Sequence, residues 1–300
     1  MKLPTVKQLR YFVALEEHAH FGKAAEACFV SQSAFSVAIR ELESSLGVQL
    51  VDRTNRTVTV TSLGREVATQ ARLCLRDLEM VVRIARGNRE ALAGPLRLGV
   101  IPTIAPFLLP KLLPALRKQY PELQPLLRED KTQAIYERLM AGELDLILLA
   151  LPFEMRGVDE MALFKDRFRL AARADTALVD PHNYSYNRLN AESVLLLEDG
   201  HCLREHAISA CRIRKFDKIN RFAASSLLTL VEMVDADLGI SFLPEMAEGS
   251  SILAGTRVKM YPLRDDAFRT IGLAWRKGSG RAREFRMLGE FLREHSQGRE

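Results

Sequence analysis

The run AAEACFVSQSAFSVAIRELESSLGVQLVDRTNRTVTVTSLG, residues 24–64, decides the architecture of the first part of this chain. Lys23 to Cys28 read as a short helix and Ser33 to Leu46 as a longer one, with Phe35, Ile39, Leu42 and Leu46 recurring at three- and four-residue steps. Val30-Ser31-Gln32-Ser33 form the turn between them; Ser31 is suited to cap the longer helix and Gly47 to stop it. Two helices joined by a tight turn are what a helix-turn-helix requires, the second entering the major groove of DNA. Val51 to Thr61 then alternate apolar with Thr and Arg residues around Asn55-Arg56, the pattern of a two-stranded wing. Upstream, Val6, Leu9, Phe12, Val13 and Leu15 give a first helix with one apolar stripe.

Placement of polar side chains makes the case for double-stranded DNA as partner. Residues 1–64 hold seven Lys/Arg against six Asp/Glu, so bulk charge does not make it, although the whole chain carries a formal net charge of +5. Ser31, Gln32, Ser33, Ser36 and Arg40 populate the start and outer face of the second helix and are of types that contact base edges and phosphates. Arg53 and Arg56 in the wing suit phosphate or minor-groove contacts.

From Gly64 to Leu92 a long helix is expected. Val67, Ala71, Cys74, Leu78, Val81 and Ala85 step by four and three, a heptad seam that needs a partner helix and so predicts a homodimer. Cys74 and Cys28 read as packing. Gly94-Pro95 ends the helix and opens a different region, in which strands (Leu96 to Ile101, Pro121 to Glu129, Leu144 to Ala150) alternate with helices (Phe107 to Gln119, Ile135 to Ala141). A second set follows: Phe168 to Arg173, Val194 to Glu198, Ile219 to Ala223, a helix from Ser226 to Val234, and Gly239 to Leu243. Thr270 to Arg276 and a helix from Arg281 to Glu294 are expected to return to the first set. Two α/β lobes with crossing connections make a cleft of the kind that binds ligands. The predicted division is 1–63 for DNA binding, 64–93 for the linker helix and 94–300 for the two lobes. Lobe I takes about 94–165 plus 268–300, and lobe II about 166–267.

Within the second lobe, His201 to Cys211 reads HCLREHAISAC behind the turn Glu198-Asp199-Gly200. Asp199 is an N-cap candidate that places Cys202 in the first helical turn, where the helix dipole, His201 and Arg204 would favour thiolate over thiol. In a helix, nine residues separate the Cα atoms of Cys202 and Cys211 by roughly 13 Å, and a disulfide needs about 7 Å or less. The pair would therefore join only if the segment rearranges, which is the logic of a redox switch. The plainer alternative is two buried cysteines without a role.

Composition excludes several classes. A 47% hydrophobic content supports sizeable cores, and four cysteines in 300 residues do not make a disulfide scaffold, so reduced thiols in a cytoplasmic protein are expected. The opening MKLPTVKQLRYFVAL reads as an amphipathic helix, not a signal peptide. The most apolar run, Leu144 to Phe153, is short and contains Asp145, so no membrane span is predicted. No cofactor and no metal is expected. A metal site from His201, Cys202, His206 and Cys211 is disfavoured because His201 and His206 lack the i, i+4 spacing that shares a helical face.

Residues 24–64 resemble the winged helix-turn-helix of LysR-type transcriptional regulators. Gly142-Glu143-Leu144-Asp145-Leu146, and Gly239-Ile240 leading into Leu243-Pro244, resemble elements of the family's effector domains. The resemblance spans essentially the whole chain. It implies an α/β protein with an N-terminal winged helix-turn-helix, a long linker helix and a two-lobed, periplasmic-binding-protein-like effector domain. Residues 98–114, 197–211 and 269–276 are most similar to the family's peroxide-sensing branch. That likeness implies hydrogen peroxide as signal, Cys202 as peroxidatic and Cys211 as resolving thiol, and Thr103, Thr132, His201 and Arg269 around the peroxide pocket. It further implies a homotetramer that works with RNA polymerase. The chain departs from that branch at Ala223 and Val231, where basic residues are usual, and at Ser33, where Pro is usual in the family. Two rivals stand beside this reading: a regulator that binds a small organic anion in the cleft, with Thr103 holding its carboxylate, and a thiol peroxidase.

Overall fold

The computed structural model describes residues 3–53, 58–85, 92–184, 186, 189–211, 213, 216–263 and 266–296. They divide into two compact units, one of residues 1–90 with 140–143 and one of the remainder.

The first unit is a helical head with a small hairpin. α1 (Val6–His18) begins with a capping box, in which the Thr5 hydroxyl accepts from the Gln8 amide and the Gln8 side chain returns to the Thr5 amide. α2 (Phe21–Ala27) starts two residues earlier than the sequence suggested, because the His20 ring accepts from the Gly22 and Lys23 amides and serves as its cap. α3 (Gln32–Leu46) is capped by Ser31 and closed by Gly47 at φ +70°. Phe12, Leu15, Phe35, Ile39, Leu42 and Leu50 form its core, with Tyr11 stacked on Phe35 at 5.0 Å between centroids. β1 (Val51–Arg53) and β2 (Val58–Val60) pair antiparallel, and the Glu43 carboxylate of α3 accepts from the Leu50 and Val51 amides, fixing the hairpin to the helix. α4 (Ser62–Ala85) packs its first half on α1, where the buried Arg72 is paired with Glu16. Towards its end Leu78, Val81 and Val82 are exposed.

The second unit is built on one mixed sheet of order β10-β6-β11-β5-β3-β4, with β9 also on β6. β3 (Gly94–Val100), β4 (Leu123–Glu129) and β5 (Leu146–Leu151) run parallel, as βαβ connections through α5 (Ala105–Gln119) and α6 (Thr132–Met140) require. β11 (Phe268–Arg276) returns antiparallel beside β5. β6 (Val158–Arg173) is sixteen residues long: its first part pairs with β11, and its last with β9 (Ser241–Pro244) and β10 (Val258–Pro262). The sequence reading marked only the Phe168 to Arg173 part of β6 and missed β10. In β6 charged residues interrupt the apolar alternation on which a strand assignment rests, and β10 is only five residues long and ends in Pro262.

A second small sheet pairs β7 (Val194–Leu197) with β8 (Ile219–Ala224), and α7 (Cys202–Ala210) and α8 (Leu227–Asp235) belong to this lobe. Gly239 approaches the Ser193 carbonyl so closely that a Cβ would lie 2.6 Å from its oxygen, which permits the bridge of Ile240 to Val194. α9 (Ala282–Ser296) packs through Phe285, Leu288, Phe291 and Leu292 against the first lobe. The two apolar cores meet along β6, between Leu163 in one and Phe168 in the other. No described helix is long and apolar enough to cross a membrane.

Candidate functional site

Four elements converge on the Cys202 thiol. Cys202 is the first residue of α7 and is 5% exposed. It packs into the core of lobe I although its neighbour Leu203 packs into that of lobe II. Opposite stands Arg269 of β11, whose side chain is fully buried. Its Nε donates to Asp166 Oδ2 at 2.9 Å, Nη1 to the Thr103 hydroxyl oxygen at 2.9 Å and Nη2 to the Thr103 carbonyl at 2.8 Å. Asp166 also accepts from the Met246 amide at 3.1 Å. The guanidinium is thus held in one orientation by β6 on one side and by the turn after β3 on the other, a preorganised positive charge in a dry site.

Burial is the largest influence on Cys202 and pushes its thiol pKa up; the Arg269 charge, the Thr132 hydroxyl and the Ala150 amide pull it down, and Glu205 pushes it up again. This corrects the expectation that the helix terminus, His201 and Arg204 favour thiolate: at rest, desolvation wins. Arg204 is turned away, its Nε 2.9 Å from Asp199 and Nη1 donating to the Leu197 carbonyl. Asp199, 94% exposed, does not cap α7; that position belongs to His201, which makes no side-chain cap bond. The Thr132 hydroxyl faces the thiol without completing a hydrogen bond of ordinary geometry and is buried. Burial pushes the Asp166 carboxyl pKa up, with Arg269 the strongest counterweight.

A polar group covers this site at its edge. Lys131 Nζ, just before α6, lies 2.6 Å from Glu198 Oε1, and His201 Nε2 is 3.9 Å from the same oxygen. Gly200 sits beneath the Lys131 side chain at φ +88°, a backbone state that suits glycine. The Lys131 bond holds Glu198 below the ordinary carboxylate range, while burial holds His201 below the ordinary imidazole range.

Thr103, Thr132, Cys202 and Arg269 therefore come together, with His201 in the adjoining loop. Cys211 is the C-cap of α7, half-buried at the edge of the lobe II core, and no disulfide joins it to Cys202. Sequence reasoning missed Asp166, which is 103 residues from Arg269 in the chain and lies in a charged stretch without a local signal. Among the described residues no cluster of His, Cys, Asp or Glu could hold a metal ion.

In the head, Ser31, Gln32, Ser33 and Arg40 are exposed on α3 and Ser36 is half-buried. Ser31 is committed to its cap and lies 3.1 Å from the Ser33 hydroxyl. Arg53 ends β1; Arg56 lies outside the described residues.

The bacterial regulatory helix-turn-helix model of the lysR family matches residues 6–65, and the LysR substrate binding domain matches residues 89–297. The chain is 41% identical over 293 residues to the HTH-type transcriptional regulator EstR of Acinetobacter baylyi, covering 97% of each protein. It is 38% identical over 293 residues to the DNA-binding transcriptional dual regulator OxyR of Escherichia coli, covering 98% of this chain and 96% of that one. Full-length OxyR of Pseudomonas aeruginosa, solved with a cysteine-to-aspartate substitution, superposes with a TM-score of 0.82 at 34% identity, over 98% of this chain and 96% of that one. With its helix-turn-helix head and two-lobed α/β unit, the chain belongs to the LysR family of DNA-binding transcriptional regulators and is close to its OxyR members.

Proposed function

We propose that this regulator senses hydrogen peroxide through Cys202 and reports it by a disulfide with Cys211. The observation that carries the reading is the Cys202 thiol, buried under the charge of an Arg269 that is itself fixed by Asp166 and Thr103, with a second cysteine at the far end of the same helix. Peroxide would be met by the Thr103 and Thr132 hydroxyls and the His201 ring, groups able to hold and protonate a leaving oxygen. Attack by Cys202 gives a sulfenic acid and water; condensation with the Cys211 thiol gives the disulfide and a second water. Because Cys202 begins α7 and Cys211 caps its other end, the disulfide requires that helix to unravel, and this remodels the packing between lobes and the spacing of DNA-binding heads.

The assembly fits the same reading. The exposed Leu78, Val81 and Val82 of α4 suit pairing with a second copy, giving a homodimer and, through the second unit, a homotetramer on double-stranded promoter DNA. Ser31, Gln32, Ser33, Ser36, Arg40, Arg53 and Arg56 are the residues assigned to contact that DNA, RNA polymerase is the downstream partner, and the compartment is the cytoplasm. Intact mass and peptide mapping after a stoichiometric hydrogen peroxide pulse on reduced protein test the mechanism. A fast Cys202–Cys211 disulfide is expected; slow, unselective oxidation overturns it.

The 41% identity to EstR, whose name carries no peroxide, supports a second reading. In it a small organic anion occupies the cleft near Thr103 and the cysteines are idle. A DNA-binding response that survives Cys202→Ser decides for that reading.

A further inference from the structure

Burial pushes the Cys202 thiol pKa up, and reaction of the thiol with peroxide needs somewhere for its proton to go. Two ionisable groups of α7 follow Cys202 on the same face, the exposed Glu205 at three positions and the half-buried His206 at four. His206 follows Cys202 by four positions, one helical turn, which places the two side chains as neighbours. His206 Nε2 lies 3.2 Å from the Pro152 carbonyl oxygen. A carbonyl has no proton to give, so Nε2 is the donor, and the neutral ring keeps its lone pair on Nδ1. Nδ1 is buried and has no hydrogen-bond partner among the protein's groups. A buried acceptor without a partner is costly to keep, and this one belongs to a residue one helical turn from a thiol that must lose a proton. Burial and the Arg269 charge lower the pKa of His206, so the ring is neutral and ready to accept. Arg269 acts on Cys202 and His206 alike, whereas the charges bearing on His201 are Lys131 and Glu198.

We propose that His206 is the proton acceptor for Cys202, an inference that rests on the peroxide-sensing reading. As Cys202 Sγ attacks one peroxide oxygen, the S–O bond forms and the O–O bond breaks; sulfur is oxidised by two electrons and the peroxide oxygens are reduced. The thiol proton passes to His206 Nδ1 and from there to the departing hydroxide, which leaves as water, so the ring ends neutral and Cys202 ends as sulfenic acid. Transfer is coupled to S–O bond formation, so the ring never has to hold the proton at rest. Arg269 of β11 opposes a charged His206, whereas the Pro152 carbonyl and Glu205 of α7 favour it. The balance makes a transient acceptor, not a resting cation.

The test is the rate of sulfenate formation at Cys202, trapped by dimedone in full-length Cys211→Ser protein across about pH 6 to pH 9, with and without His206→Gln. Glutamine keeps an N–H for the Pro152 carbonyl but cannot take a proton. A rate lower by at least about tenfold near neutral pH is expected, a floor set below the roughly hundredfold or more that general base catalysis contributes, narrowing as hydroxide ionises the thiol directly. An unchanged rate overturns the proposal, and so does a deficit of the same size at every pH, the mark of a packing role alone. If His206→Gln does not fold, His206→Asn is measured under the same criteria. A wild-type Cys202 that peroxide does not oxidise selectively is a different failure: it removes the sensor reading itself.

Discussion

The two ends of α7 live in different solvents. At the N-terminal end Cys202 is packed in the lobe I core beneath Arg269; at the C-terminal end Cys211 lies half-buried at the edge of the lobe II core. The two thiols thus have different surroundings: one is buried under a fixed charge, and the other is half-buried at the edge of its lobe. In a rigid helix about 13 Å keeps them apart, so the reduced state holds no strained bond waiting to close.

Four measurements sharpen or break that contrast. The largest effect is expected from exchanging the cysteines in turn. Cys202→Ser should abolish the fast oxidation and the peroxide-dependent change in DNA footprint, whereas Cys211→Ser should still oxidise but stop at a sulfenate that dimedone captures. Equivalent behaviour of the two variants would show that the ends of α7 are not distinct. Next comes Arg269→Ala, which leaves Asp166 buried without its cation. A loss of about 3–5 kcal/mol in denaturant unfolding is expected, together with slower oxidation of Cys202. A stable variant oxidised at the wild-type rate would remove Arg269 from the site.

Acidification is expected to act at the Cys202 end. His201 and His206 both have folded pKa values below the ordinary 6.5 because burial disfavours their charged forms. The unfolded chain therefore binds their protons first, and stability present above pH 6.5 is lost as pH falls through the folded values. The melting temperature should drop between about pH 7 and pH 5, and the drop should shrink in a His201→Gln, His206→Gln double variant. An identical pH dependence in that variant would place the acid sensitivity elsewhere. The smallest effect belongs to Lys131→Ala: both partners of the Lys131–Glu198 pair are about two-fifths exposed, so less than about 1 kcal/mol is expected. A larger loss would make that contact a clamp between the lobes.

The head was legible because its signals are local. The Ser31 cap, the Gly47 stop and the α3 apolar stripe each sit within a few residues of what they control, and the structure places all three as read. The strand–helix alternation of lobe I was legible for the same reason. The Cys202 site was half legible: the cysteines and His201 share one stretch, but the charge that bears on Cys202 comes from β11 and is aimed by Asp166 on β6. The sequence also suggested the nearer Arg204, which the fold spends on Asp199. Tertiary pairing of this kind leaves no periodicity to read. Burial was the other hidden quantity, since a helix terminus favours thiolate only where water or a partner can support the charge.

β6 has a mechanical consequence. One uninterrupted strand supplies hydrogen-bonding partners to β11 in one lobe and to β9 and β10 in the other. Melting either lobe would therefore fray the other along a shared beam, which is expected to couple the two in unfolding. A rearrangement of α7 would then be passed on by repacking helices over that frame.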